Sequence, residues 1–177
     1  MPRNIEIKAK LSDFEQTVRL AAEICGTEAE IIPQEDVFFH CASGRLKLRI
    51  FSDSSAELIA YHRPDQTGPK MSSYVISPVP DPQSMREALQ RACGVRSVVR
   101  KTRNLFLAGR TRVHLDQVAG LGDFLELEVV MEADEVESVG IAEAHELMSQ
   151  LNVSTDALID RAYVDLIERR NQFDRTD

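Results

Sequence analysis

Apolar and polar positions alternate along much of this chain, most clearly over residues 110–130, RTRVHLDQVAGLGDFLELEVV. The segment reads as two β-strands joined by a Gly-Leu-Gly loop. In the first strand Arg110, Arg112, His114 and Asp116 are separated by Val113 and Leu115. In the second, Glu126 and Glu128 alternate with Leu125, Leu127 and Val129. Strand side chains point alternately to opposite faces, so one face of this hairpin carries both signs of charge and the other is aliphatic.

The same period recurs elsewhere. Residues 5–11 predict a strand with Asn4, Glu6, Lys8 and Lys10 on one side and Ile5, Ile7, Ala9 and Leu11 on the other. Ser12 or Asp13 then caps a helix ending near Cys25, before Gly26. Further strands are expected at 34–41, 45–51, 57–63, 72–77 and 98–107. Arg45, Lys47 and Arg49 share a face of the 45–51 strand, Tyr61 and Arg63 of the next, Lys101 and Arg103 of the last. Pro78, Pro80 and Pro82 end the fifth strand, and a helix from Asp81 or Ser84 runs to about Cys93. The tail predicts helices over 135–151 and 155–170.

Eight strands, largely hairpin-connected, with helices inserted or trailing, describe an antiparallel α+β fold. One domain is expected over residues 2–170, with a short polar tail at 171–177. Acids gather on the first and eighth strands, bases on the third, fourth and sixth, and both on the seventh. If the sheet closes, the charged face becomes the lumen of a barrel and the aliphatic face packs against helices. Such a lumen calls for an ionic occupant.

Composition narrows the classes. Of 177 residues 43% are hydrophobic and 28% charged, ordinary for a globular protein that buries a core. A net charge of −8 argues against nucleic acid as a partner. No apolar run approaches spanning length, so no membrane partner is expected. Cys25, Cys41 and Cys93 form no metal or disulfide pattern, and the start MPRNIEIKAK lacks an apolar signal core; both fit the cytoplasm. A homodimer is one assembly this reading allows.

Converging Lys and Arg suit a polyanion, because Arg forks bind phosphate oxygens in pairs and Lys acts as a point charge. Carboxylates on the facing strands suit a hard divalent cation, Mg²⁺ or Mn²⁺. Cation with polyphosphate is the combination of phosphoryl transfer. Competing motifs are weak: there is no GxxxxGK[ST] loop, and Gly120-Leu121-Gly122 joins two strands instead of opening a helix.

Five segments fall in a familiar order: IEIKAKL, then QEDVFF with GRLKLRIF, YHRPDQTGPKMSSY, VVRKTRNLFLAGRTRVHLDQVAGLGDFLELEVV, and AYVDLI. Together they resemble the CYTH superfamily, the triphosphate tunnel metalloenzymes, which includes class IV adenylyl cyclases, thiamine triphosphatases and inorganic triphosphatases. The resemblance implies a closed eight-stranded antiparallel β-tunnel. It also implies metal ligation by Glu6, Glu126 and Glu128, with Asp116 matching an acid on the strand beside them. Lys8, Arg49, Arg63, Lys101, Arg103 and Arg112 match the phosphate clamp, joined by Lys10 and Lys47 on the same faces. Asn4 stands where the family signature E-x-E-x-K begins with Glu, which removes one anionic ligand and weakens a second metal site. His114 is an auxiliary candidate. The implied activity is metal-dependent hydrolysis of an inorganic, thiamine or nucleoside triphosphate threaded through the tunnel. The Gly-Leu-Gly-Asp-Phe loop is shared with the class IV cyclases, so cyclic AMP formation is the alternative. A non-catalytic polyphosphate or nucleotide sensor is a third reading.

Overall fold

A computed structural model describes residues 3–173. Residue 2 of the expected domain and residues 174–177 of the expected tail lie outside it. The strands are β1 (Arg3–Lys10), β2 (Glu30–Phe39), β3 (Arg45–Phe51), β4 (Ala56–His62), β5 (Lys70–Val79), β6 (Val95–Ala108), β7 (Thr111–Val118) and β8 (Gly122–Val130). They close antiparallel in the order β1-β5-β4-β3-β2-β6-β7-β8. The closed barrel read from alternation and from the family resemblance is present.

Helices α1 (Phe14–Cys25), α2 (Pro82–Cys93), α3 (Glu137–Gln150) and α4 (Tyr163–Phe173) pack outside it. Local chemistry fixes their ends. Asp13 accepts a hydrogen bond from the Gln16 N–H at 2.9 Å, and α1 stops at Gly26, whose φ of 66° a side chain would resist. Asp81 caps α2 through the Ser84 N–H, with Pro82 in the first turn where its missing N–H costs nothing. Among the described residues no helix is long and apolar enough to cross a membrane.

The core lies outside the barrel wall. Ile5, Ile7, Leu115, Leu125 and Leu127 point outward and are fully buried under α1 and α3. Each such side chain contributes roughly 1.5–3 kcal/mol when buried, so this layer holds the barrel closed around a polar interior. α3 approaches closely because Gly140 has no Cβ; one there would collide with Met131 Sδ and Ile5 Cγ1. A second layer places Met85 and Leu89 of α2 against Val37, Phe39 and Leu48.

β6 runs Val95–Ala108 where 98–107 is expected, and two further strands outrun their sequence boundaries through proline. β2 begins at Glu30, not residue 34, and includes Pro33. β3 pairs with β2 only from Gln34 onward, so at Pro33 only β6 lies alongside and the missing N–H leaves no ladder broken on the other side. β5 likewise runs past Pro78, because β1 pairs with it only over Lys70–Ser73 and leaves β4 as the single neighbour beyond. α4 extends to Phe173, three residues into the segment expected as tail.

One end of the barrel is shut. Phe38, Val99, Val118 and Phe124 point inward there and bury themselves against Ala162, Tyr163, Val164 and Ile167. α4 is tied down by Asp165, which pairs with both Arg45 and Arg96. The approach to α4 is fixed as well: the Ile159 N–H donates to the Lys8 carbonyl at 2.9 Å, beside the part of β1 that β5 leaves unpaired. The interior is therefore a blind cavity, not an open-ended tunnel that a chain could thread.

Candidate functional site

The interior holds a cavity of about 410 Å³, within the usual range for small-molecule sites. Its polar lining divides by strand. Glu6 and Lys8 come from β1, Arg112 and His114 from β7, and Glu126 and Glu128 from β8. Lys47 and Arg49 come from β3, Arg63 from the end of β4, and Lys101 and Arg103 from β6. Register produces the grouping: Glu6 sits opposite Glu128, Lys8 opposite Glu126, and His114 opposite Glu126 on the other side.

Three carboxylates, Glu6, Glu126 and Glu128, share the β1–β8 wall. Glu126 accepts from Lys8 at 2.8 Å and from Arg103 at 3.1 Å, and Glu128 accepts from Arg112 at 2.8 Å. Burial, then the Glu126 and Glu128 carboxylates, push the Glu6 carboxyl up to about 7. Negative charge is thus in local excess, as a cation site requires. His114 Nδ1 lies 3.9 Å from Glu126 and 3.8 Å from Glu128, too far for hydrogen bonds, and has no other partner. His114 Nε2 faces Arg103 Nη1 at 3.5 Å. Because a guanidinium only donates, that contact favours the tautomer with the proton on Nδ1, turned toward the two glutamates. Burial, with Arg103 beside it, lowers the His114 pKa and keeps the ring neutral. Among the described residues the ligand atoms of His114, Glu126 and Glu128 lie within 4.8 Å of one another, so a neutral His114 stands with the two glutamates as a group that could hold a cation.

A pH effect follows. Glu6 holds its proton to about pH 7 in the fold but only to its ordinary value of 4.5 when unfolded. Without metal, this group makes stability fall as pH rises from about 4.5 to about 7, then level off. Thermal melts in chelator should show that slope in the wild type and not in Glu6→Gln. Identical profiles would contradict the placement of Glu6 beside two carboxylates.

The opposite wall is basic. Arg49 and Lys47 both bond Asp36, at 2.8 Å and 2.9 Å. Asp116 accepts from Arg103 at 2.7 Å, Lys101 at 2.9 Å and the Tyr163 hydroxyl at 3.1 Å. Burial alone would raise the Asp116 pKa, but Arg103 and Lys101 hold it far below the ordinary range. Its oxygens are thus taken up by cations behind the cavity lining, and it stands apart from Glu6, Glu126 and Glu128, with which the sequence grouped it. Burial and Arg103 bring the Lys101 ammonium down to about 7. Arg63 is 3% exposed in its side chain; its Nη1 is 3.6 Å from Glu6 and its Nη2 3.8 Å from the exposed Asp65, while among the described residues Nε and Nη2 have no hydrogen-bond partner.

Other expected positions are placed differently. Lys10 is exposed at the end of β1, outside the cavity lining. Arg110 lies in the turn after Gly109 and bonds Glu135 and Glu143 outside the barrel, anchoring the start of α3. With its amide turned to satisfy both neighbours, Asn4 accepts from Arg112 at 2.9 Å and donates to the Arg3 carbonyl at 3.0 Å.

Of the polar residues that escaped the sequence reading, three matter most. Asp36 is buried against Lys47 and Arg49 of β3, but its acidic neighbour Glu35 hides which of the pair faces inward. Lys70 is 2% exposed, and burial with Arg63 and Lys8 lowers its pKa to about 8. The signal was there, since Lys70, Ser72 and Tyr74 continue one face of β5. Tyr163 lies under the Lys8 ammonium, 3.8 Å from its ring centroid. It arrives from a distant helix, which strand periodicity cannot foresee.

Comparison with known proteins agrees with this architecture. The pattern that defines the CYTH domain matches residues 2–163. A protein of Methanocaldococcus jannaschii, named as a candidate adenylate cyclase, is 27% identical over 172 residues, covering 92% of this chain and 97% of its own. The solved structure of the PH1012 protein from Pyrococcus horikoshii superimposes with a TM-score of 0.81 at 24% identity, covering 92% of this chain and 98% of that one. A Hippeastrum protein, whose structure is described as that of a candidate adenylyl cyclase with a dominant triphosphatase activity, matches at a TM-score of 0.63 and 15% identity, covering 97% and 96%.

Proposed function

The chain belongs to the CYTH family, whose tunnel proteins bind triphosphates and depend on divalent metal, and we propose that it binds a triphosphate-bearing small molecule in the cavity and hydrolyses it. The observation that carries this reading is Arg63, a buried guanidinium in the cavity lining whose Nε and Nη2 have no hydrogen-bond partner among the described residues. Leaving such donors unpaired is costly, and an anionic ligand answers them.

Charge bookkeeping supports the same reading. Seven Lys and Arg line the cavity against five Asp and Glu. Lys70 and Asp116 behind the lining cancel, so the net excess is two positive charges. With a divalent cation the sum matches the roughly four negative charges of an organic triphosphate near neutral pH.

Glu6, Glu126 and Glu128 would hold that cation, an all-oxygen set suited to Mg²⁺ or Mn²⁺. When bound, the ion would neutralise phosphate charge and activate or orient the attacking oxygen. The chain's own groups do the remainder. Asp36 and Asp116 fix four basic side chains in place before substrate arrives, so charge developing on the phosphates meets preorganised donors. Lys8 and Lys101 sit deepest, over Tyr163, and Arg112 lies nearer the mouth. Glu6 gives up its proton as the ion binds, so metal affinity should strengthen from pH 6 to 8. The name of the M. jannaschii relative favours a second reading, in which the substrate's own ribose hydroxyl attacks and cyclic AMP and pyrophosphate are released.

Calorimetric titration of inorganic triphosphate into the wild type and Arg63→Met tests the carrying observation. Affinity should fall about 10- to 100-fold in the variant, the loss of a charged hydrogen-bond donor pair. Equal affinity would remove Arg63 from the binding site.

A further inference from the structure

β4 and β5 are the bare side of the barrel, because the helices pack chiefly over β1, β2, β3, β6, β7 and β8. Tyr74 and Ile76 line the cavity, so Ser73, Val75 and Ser77 face outward, beside Leu58 and Ala60 of β4. Val75 is 55% and Ile76 45% exposed. One edge of this strand is open as well. β1 pairs with β5 no further than Ser73, opposite Arg3. Beyond it, among the described residues, 74–79 has β4 on one side and no strand on the other. Folded proteins blunt such an edge with charges, bulges or a covering element. Residues 74–77, YVIS, have none of these: they carry no charge, pair with β4 without a register shift, and belong to a strand the helices leave aside.

The edge is also complementary to itself. Turned about a two-fold axis through Val75, two antiparallel copies set Val75 against Val75, Tyr74 against Ile76 and Ser73 against Ser77. Aliphatic, aromatic with β-branched, and hydroxyl with hydroxyl are combinations that stabilise cross-strand pairs. A chain of net charge −8 repels its own kind over much of its surface, but no like charges meet along this edge. We propose that the chain forms a two-fold homodimer by antiparallel pairing of β5 with β5 of a second copy, centred on Val75. One sheet then runs from β4 of one barrel through both β5 strands to β4 of the other, and the unpaired N–H and C=O groups of the edge are answered.

Sedimentation velocity of the full chain tests the assembly, and cysteine linkage tests the register. The edge is short, so a dissociation constant of about 1–100 µM is expected, and the mass should rise from one chain toward two between about 1 and 300 µM. Val75→Lys sets like charges face to face at an outward position, and should stay a single chain over that range with unchanged circular dichroism. In Cys41→Ser, which removes the exposed native thiol, Val75→Cys should link two chains by a disulfide on mild oxidation. Ser73→Cys in the same background should not, because its counterpart on the other copy lies four residues along the pair, about 13 Å away. A single chain's mass for the wild type at every concentration would overturn the proposal, and so would a dimer that survives Val75→Lys. Linkage through Ser73→Cys as readily as through Val75→Cys, or through neither, would overturn the register. If Val75→Lys misfolds, the two cysteine variants decide the interface alone.

Discussion

Glu128→Gln is expected to lower metal-dependent turnover about 10³-fold while leaving the fold intact. The substitution keeps the side chain's size but removes one of three clustered carboxylates. Loss of a single preorganised electrostatic contribution of this kind typically costs 10²–10³ in rate, and a weakened metal site adds to it. Glu128 is the cleaner choice because Arg112 is its one close cationic partner, at 2.8 Å and part-exposed. Glu126 also neutralises Lys8 and Arg103, so Glu126→Gln should lose both turnover and stability. Turnover against metal concentration, with circular dichroism on the same samples, makes the check. A folded Glu128→Gln protein with wild-type rates would remove Glu128 from the metal site.

Asp116→Asn should act on a different quantity. The carboxylate lies at 0% exposure among Lys101, Arg103 and the Tyr163 hydroxyl. Removing it leaves two buried cations facing one another, a type of change that costs about 3–5 kcal/mol. For a chain of this length that corresponds to a fall in Tm of roughly 6–20 °C. The loss should be equal with and without metal, since Asp116 serves as a counter-ion. It should also grow less visible at acid pH. The folded-state pKa is depressed, so the stabilisation is complete above the ordinary carboxylate range and is lost progressively as pH falls from that range toward the depressed value. Melts of both proteins with Mn²⁺ and with chelator decide the matter. A variant destabilised only when metal is present would restore Asp116 to the metal ligands.

Much of this architecture was legible in the chain because alternation survives wherever one face is charged and the other aliphatic. Glu6, Lys8, Lys47, Arg49, Arg63, Lys101, Arg103, Arg112, His114, Glu126 and Glu128 all line the cavity, as their parity requires. Parity fails at strand ends. Arg110 continues the period of β7 by one residue, but the turn at Gly109, with φ of 60°, has already swung the chain away. Lys10 keeps the right parity but lies beyond the plugged end of the barrel, opposite Phe124. Registers between strands are invisible in a single sequence, so neither Asp36 as the anchor of Lys47 and Arg49 nor the removal of Asp116 from the acid cluster could be read. The shut floor was hidden for another reason: Tyr163 is separated from Lys8 by most of the chain, and a helical residue meets the lumen only through tertiary packing.

The most direct test is product analysis by chromatography of the purified chain incubated with ATP, inorganic triphosphate and thiamine triphosphate, with Mg²⁺ or Mn²⁺ and in matched samples with chelator. Metal-dependent release of orthophosphate, without cyclic nucleotide, is the predicted result. Cyclic AMP with pyrophosphate would transfer the same site to the cyclase reading. Tight triphosphate binding with no product under any metal would contradict the enzymatic account and leave a sensor.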